Sequence, residues 1–159
     1  MSVVYEKPGH LIRRLQQAAV AIFYKEVGEL GYDLTPVQYA ALDKTQANPG
    51  IDQMTLAGLI AYDRATITGV IDRLVQKGLM VREVNKLDRR ARLLKLTDKG
   101  LKVLQEVTPA VEAAQDIILQ GLTKNEAKEF MLLLHKATLA VNELSRAPMR
   151  VPLKEAISA

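Results

Sequence analysis

The 159-residue chain has no cysteine and no tryptophan, two phenylalanines, two histidines and no long apolar run. Without cysteine there is no disulfide, no thiolate metal site and no thiol redox switch. The histidines, His10 and His135, fall toward opposite ends of the chain. No nucleophile, base and orienting group accompany them, and no glycine loop or acidic cluster suits a phosphate or a metal. The chain therefore reads as no enzyme, with no cofactor and no metal. Aromatics make up 4% of residues, too few for modules that stack RNA bases on exposed rings. The longest apolar run, Ala18 to Tyr24, falls far short of the roughly 18 residues of a membrane span, and the stretch Met1 to His10 is polar. The expectation is a soluble, cytoplasmic protein without a membrane partner, forming a single unit over residues 1–159.

Positive charge is abundant, but in one place. Residues 64–102 hold eleven lysines and arginines against four acids, a net +7, in a chain of net charge +4; the remainder is therefore −3. An imbalance confined to one segment, preceded by an apolar helical stripe, is the electrostatic footprint of a surface that meets phosphates.

Apolar residues at three- and four-residue spacing (Leu11, Ile12, Leu15, Ala19, Ile22, Phe23, Leu30) predict a long helix between Gly9 and Gly31 with one buried stripe. Thr35-Pro36-Val37-Gln38 has a cap, a proline at the first helical position and Gln three residues after the cap, which starts a second helix ending before Asn48-Pro49-Gly50. The segment Ile51 to Ala61 reads as a brief helix. After a turn through Tyr62, Asp63 is a good cap for a helix from Arg64 to Lys77 that buries Ile67, Val70, Ile71, Leu74 and Val75. A short helix, a tight turn and a second helix form a helix-turn-helix, whose second member enters the major groove.

Leu79 to Val84 and Arg92 to Leu96 then read as two short strands around the charged loop Asn85 to Ala91, a β-ribbon or wing. Thr97 caps a long helix to about Gly121, striped by Leu101, Leu104, Val107, Val111, Ala114 and Ile118, with Pro109 expected to kink it. Thr123-Lys124-Asn125-Glu126 is a capping box opening a last helix that fades near Ser145. The tail, with Pro148 and Pro152, cannot be helical throughout.

The string from Asp88 to Gly100 (Asp-Arg-Arg-Ala-Arg-Leu-Leu-Lys-Leu-Thr-Asp-Lys-Gly) resembles the wing-to-helix signature of the MarR family of bacterial transcriptional regulators. That signature runs D-x-R, three residues, an aliphatic, a gap, L-T and a glycine three positions after the threonine. The resemblance continues at Thr35-Pro36, at Leu56-Ala57, at Asp72-Arg73-Leu74 with Lys77-Gly78-Leu79, and at Leu122-Thr123 with Glu126, so it covers about Leu11 to Leu144. It implies a mainly α fold with a small β-wing, about six helices and an intertwined dimer. The DNA-binding lobe would span about 35–98, and residues 9–31 and 98–159 would supply dimerisation helices and tail. A homodimeric regulator, a repressor released by a small anionic aromatic effector, would bind a pseudo-palindromic operator on double-stranded DNA. An effector-independent architectural DNA-binding protein shares every feature of the basic segment and stands as the alternative.

The recognition helix contributes Arg64, Ala65, Thr66, Thr68, Gly69, Arg73 and Lys77 as DNA-contacting candidates. Ala65 and Gly69 keep its outward face slim, the threonines can reach thymine methyls, bases or phosphates, and Arg73 and Lys77 suit the backbone. The wing contributes Arg89, Arg90 and Arg92. Arg90 occupies the third position of the D-x-R element, where family members insert an arginine into the minor groove, and Asp88 is expected to hold the ribbon turn. In the family an effector pocket lies between the first, second and fifth helices. That implies His10, Arg13 and Arg14 as candidate anionic anchors, Arg14 sharing a face with His10, and Gln38 and Tyr39 as polar contacts. Beside this stands the plainer reading, in which Arg13 and Arg14 are surface charges.

Overall fold

In a computed structural model, which describes residues 3–151, the chain folds into six helices and a three-stranded sheet. The elements are α1 (Pro8–Glu29), α2 (Pro36–Ala47), β1 (Ile51–Asp52), α3 (Gln53–Leu59), α4 (Arg64–Gln76), β2 (Met80–Val84), β3 (Arg92–Leu96), α5 (Asp98–Ile118) and α6 (Lys124–Ala140), with short 3₁₀ turns at Val3–Glu6 and Asn142–Leu144.

Side chains close the helix starts as the sequence suggests. Thr35 accepts from the Gln38 amide at 3.1 Å while Gln38 Oε1 accepts from the Thr35 amide at 3.2 Å, a reciprocal cap that satisfies two donors no helical carbonyl reaches. Thr123 and Glu126 repeat the arrangement at α6, and Asp63 and Thr97 cap α4 and α5.

Three expectations change. Ile51 and Asp52 are not helical: they pair with Leu94 and Leu93 as a third, antiparallel strand, giving the order β1-β3-β2. Asp52 then caps a shorter α3, accepting from the Thr55 amide at 2.9 Å. A short apolar run looks the same in a strand and in a helix, so the pairing had no local signal. Second, Val75 is 36% exposed although its neighbours Ile67, Ile71 and Leu74 are buried. Third, the stripe of α1 is buried only at Phe23 and Val27, while Leu11, Ile12 and Leu15 stand exposed. α5 continues through Pro109, which lies on its exposed side.

The core gathers beneath the recognition helix α4, where Leu34, Leu42, Leu56, Ile67, Ile71, Leu74, Met80 and Leu94 are almost wholly buried. α1 lies along α5, and Val103, Leu104, Val107 and Val111 of α5 complete the core. α6 buries none of its residues. Met131, Leu132, Leu133 and Leu139 are exposed on it. Apolar periodicity states that a face will be covered, not which molecule covers it.

Candidate nucleic-acid interface

Asp63 ends the turn between α3 and α4 and fixes the start of the recognition helix. Its carboxylate accepts from the Thr66 amide at 2.9 Å and from the Thr66 hydroxyl at 2.9 Å. These bonds, the backbone one first, hold the Asp63 carboxyl below the usual carboxylate range. The turn itself contains Ala61 at a φ of 53°, a left-handed residue that is not glycine.

With the helix so fixed, Arg64, Ala65, Thr66, Thr68, Gly69 and Arg73 are all exposed, in keeping with a face left for groove contact. Thr66 spends its hydroxyl on the Asp63 carboxylate. Thr68 is held differently: its hydroxyl accepts from Gln53 Nε2 at 2.9 Å and lies 3.3 Å from the Arg64 carbonyl. Gln53 opens α3, and its Oε1 is buried with no hydrogen-bond partner among the described residues. An unpaired buried acceptor beside the recognition helix is costly unless a ligand or water meets it. Sequence reasoning passed over Gln53 because the strand Ile51–Asp52, which swings it toward α4, was invisible there.

Lys77 is set apart from the other recognition-helix candidates. Its ammonium turns inward to the Asp33 carbonyl, the Asp33 carboxylate at 3.4 Å and Gln38 Oε1 at 3.4 Å, tying the end of α4 to the α1–α2 connection. Those ties occupy donors that a phosphate would otherwise take.

In the wing, Asp88 Oδ1 accepts from the Arg90 amide at 3.0 Å and thereby shapes the loop tip, the role assigned to it from sequence. Arg92 Nη1 folds back to the Arg89 carbonyl at 2.8 Å. Arg89 and Arg90 are exposed at the tip. Arg82 on β2 forms an ion pair with Asp72 on α4, so the wing is strapped to the recognition helix. Between helix and ribbon runs an open groove of about 1480 Å³, lined among others by Gln53, Thr55, Arg64, Thr68, Arg82, Arg90 and Arg92. Cations of two elements thus line one concave surface, a geometry that raises local potential and suits a polyanion.

The residues proposed for effector contact fall into two groups. His10, Arg13 and Arg14 sit at the start of α1; Arg13 reaches Gln17 Oε1 at 3.0 Å and lies 3.5 Å from His10 Nδ1, and Tyr5 meets the His10 ring edge-on. Gln38 and Tyr39 belong to the other group. Gln38 is the buried half of the α2 capping box, and Tyr39 packs against Phe23 with its hydroxyl 3.3 Å from Thr108 Oγ1. Phe23 is thirteen residues along α1 from His10, about 20 Å of helix, so one chain does not bring the two groups together. His10 Nε2 is buried without a partner among the described residues.

Comparison with known proteins gives consistent relatives. The model of the MarR family matches residues 34–91, from the end of the α1–α2 connection to the wing. The transcriptional regulator HosA of Escherichia coli is 32% identical over 130 residues, covering 82% of this chain and 93% of HosA. The structure of the PcaV regulator of Streptomyces coelicolor with its natural ligand superposes with a TM-score of 0.82 at 34% identity, covering 89% of this chain and 98% of PcaV. BpsR of Bordetella bronchiseptica, whose DNA binding is regulated by 6-hydroxynicotinic acid, superposes with a TM-score of 0.78 at 31% identity, covering 84% of this chain and 94% of BpsR.

Proposed function

The chain belongs to the MarR family and is a DNA-binding transcriptional regulator, and from that premise we propose that it acts as a homodimeric repressor of a pseudo-palindromic operator. The observation that carries the proposal is the single groove lined by the recognition helix and the wing, with Arg64, Thr68, Arg90 and Arg92 on its walls. α4 supplies a slim exposed face for the major groove, and the ribbon extends Arg90 toward the neighbouring minor groove, where a narrow, electronegative channel favours a guanidinium.

Two such surfaces need a fixed spacing of about 34 Å, one helical turn of DNA, to engage two half-sites. The bare apolar faces of α1 and α6 supply the means. Leu11, Ile12 and Leu15 on one helix and Leu132, Leu133 and Leu139 on the other are left exposed by the described residues, and a second copy removes them from water.

A small anionic aromatic effector would act through differential affinity for DNA-compatible and DNA-incompatible dimers. Support comes from the relatives with ligands and from the start of α1, where two arginines and the unpartnered His10 Nε2 lie on a helix flanked by uncovered apolar side chains. A carboxylate suits that cluster, and the dimer partner would complete the apolar walls.

The test is footprinting of the protein on its own upstream DNA, followed by titration against salt. A protected palindrome with a log-log salt slope near −7 is expected if each subunit neutralises about four phosphates. Uniform protection without sequence preference would replace the regulator with an architectural protein, and a slope near zero would remove the groove as the DNA surface.

A further inference from the structure

After α6, residues 142–150 fold back onto the DNA-binding lobe. Asn142 closes a loop by pairing with the backbone of Met149, its Oδ1 accepting from the Met149 amide at 2.9 Å and its Nδ2 donating to the Met149 carbonyl at 3.2 Å. Glu143 grips the Arg150 guanidinium with both oxygens, one contact at 3.0 Å. The Arg150 amide then donates to the Gly58 carbonyl at 2.8 Å, docking the loop on the end of α3. The approach is close: a Cβ on Gly58 would stand 2.9 Å from the Arg150 Cβ.

This docking carries Arg146 to the start of the recognition helix. Its guanidinium lies 3.7 Å from the Asp63 carboxylate, yet its side chain is 91% exposed. Asp63 is already satisfied by Thr66, so the cap does not require Arg146. The concavity beside the tail and the wing groove share Met54, Thr55 and Arg64 as lining residues, so the two adjoin across Arg64. The cationic surface therefore continues from the wing, past the recognition helix, onto the tail.

We propose that the loop from Asn142 to Arg150 is a third DNA-contacting element, in which Arg146 places its guanidinium on the phosphate backbone beside the N-terminus of the recognition helix. Arg150 is an anchor, neutralised by Glu143 and holding the loop against Gly58. Arg146 is the more exposed cation of the loop, its side chain 91% exposed against 59% for Arg150. Its contact reads no base and adds affinity and orientation. The inference rests on the reading of the groove as the DNA surface, and it adds an element that neither the helix-turn-helix nor the wing provides.

The experiment is a fluorescence anisotropy titration of a mixed-sequence duplex of about 30 base pairs, long enough for two half-sites one turn apart, at several salt concentrations. Wild type is compared with Arg146→Ala, Arg146→Lys and Arg90→Ala. The expected result for Arg146→Ala is weaker binding at low salt and a slope shallower by about 0.9 per lost contact, hence about 1.8 for a dimer, with Arg146→Lys close to wild type. Wild-type affinity in Arg146→Ala alongside a loss in Arg90→Ala overturns the tail contact and keeps the groove. An equal loss at every salt concentration with unchanged slope also overturns it, because that marks an indirect effect through Asp63. A shallower slope in Arg146→Ala with none in Arg90→Ala upholds the tail contact and overturns Arg90's place in the groove.

Discussion

Gly100, in the first turn of α5, lies directly against the backbone of Leu79. The Leu79 carbonyl accepts from the Thr97 amide at 3.1 Å, and a Cβ on Gly100 would stand 2.9 Å from the Leu79 carbonyl carbon and closer still to its oxygen. The glycine of the wing-to-helix signature is therefore there for space. It lets α5 start against the segment that leads into β2. Both neighbours are backbone and cannot rotate away, so Gly100→Ala forces apart two elements of the lobe. We expect a loss of at least about 2 kcal/mol, in the range of overpacked cores. For a chain of this size that lowers Tm by roughly 4 to 8 °C. Calorimetry showing an unchanged Tm would contradict this account.

The exposed leucines of α6 predict a dimer that a single charge disrupts. Leu133→Glu puts a carboxylate into the face that a second copy would cover, where burial without a partner is costly. In sedimentation equilibrium the wild type is expected at twice the chain mass and the variant at, or shifting with dilution toward, one chain. Operator affinity should fall with it. A wild type that sediments as a single chain sinks the dimer.

Arg14 and Arg13 differ in what they already hold. Arg13 is engaged by Gln17 and His10, whereas Arg14 is exposed and makes no ion pair among the described residues. Arg14 is thus the freer of the two to take an effector carboxylate. Calorimetric titration with salicylate and with a hydroxyphenylpropenoate should show heat for the wild type and weaker binding, by about tenfold or more, for Arg14→Ala, the scale of one charge-assisted hydrogen bond. Equal affinities would detach Arg14 from the ligand.

Acid should unfasten the helix starts. The carboxyls of Asp63 and Glu126 are held below their ordinary range, first by the backbone amides of Thr66 and Thr123, and that of Glu143 first by the Arg150 guanidinium. A carboxyl whose folded value is depressed contributes stability that is complete above its unfolded value, about 3.9 for Asp and 4.3 for Glu, and is lost as pH falls through the folded value. The urea midpoint should be insensitive to these groups near neutrality and decline below about pH 4. Asp63→Asn keeps a capping oxygen but cannot be protonated, and should make that decline shallower. An identical acid profile for the variant would exclude Asp63 as a contributor.

Much of the structure that the chain makes from neighbours in sequence is legible in the sequence, the Asp52 cap of α3 excepted. The caps at Thr35, Asp63, Thr97 and Thr123, the turn at Asn48-Pro49-Gly50 and the ribbon from Met80 to Leu96 depend on interactions spanning a few residues, and residue type with spacing reports those directly. The same holds for the charge of residues 64–102, which is a sum over side chains and needs no geometry.

What lay beyond sequence depends on contacts between distant segments. Ile51 became a strand because Leu94 was available to pair with it, and Gln53 reached Thr68 only through that pairing. The Lys77 ammonium meets Asp33, forty-four positions earlier, and Arg146 is brought to the recognition helix by a loop docked on Gly58. Local chemistry thus determined the six helices, the ribbon and the cationic character of one surface, but not the strand Ile51–Asp52. Only the closure of the chain on itself decided which cations face outward, because that choice rests on which distant oxygen each can reach.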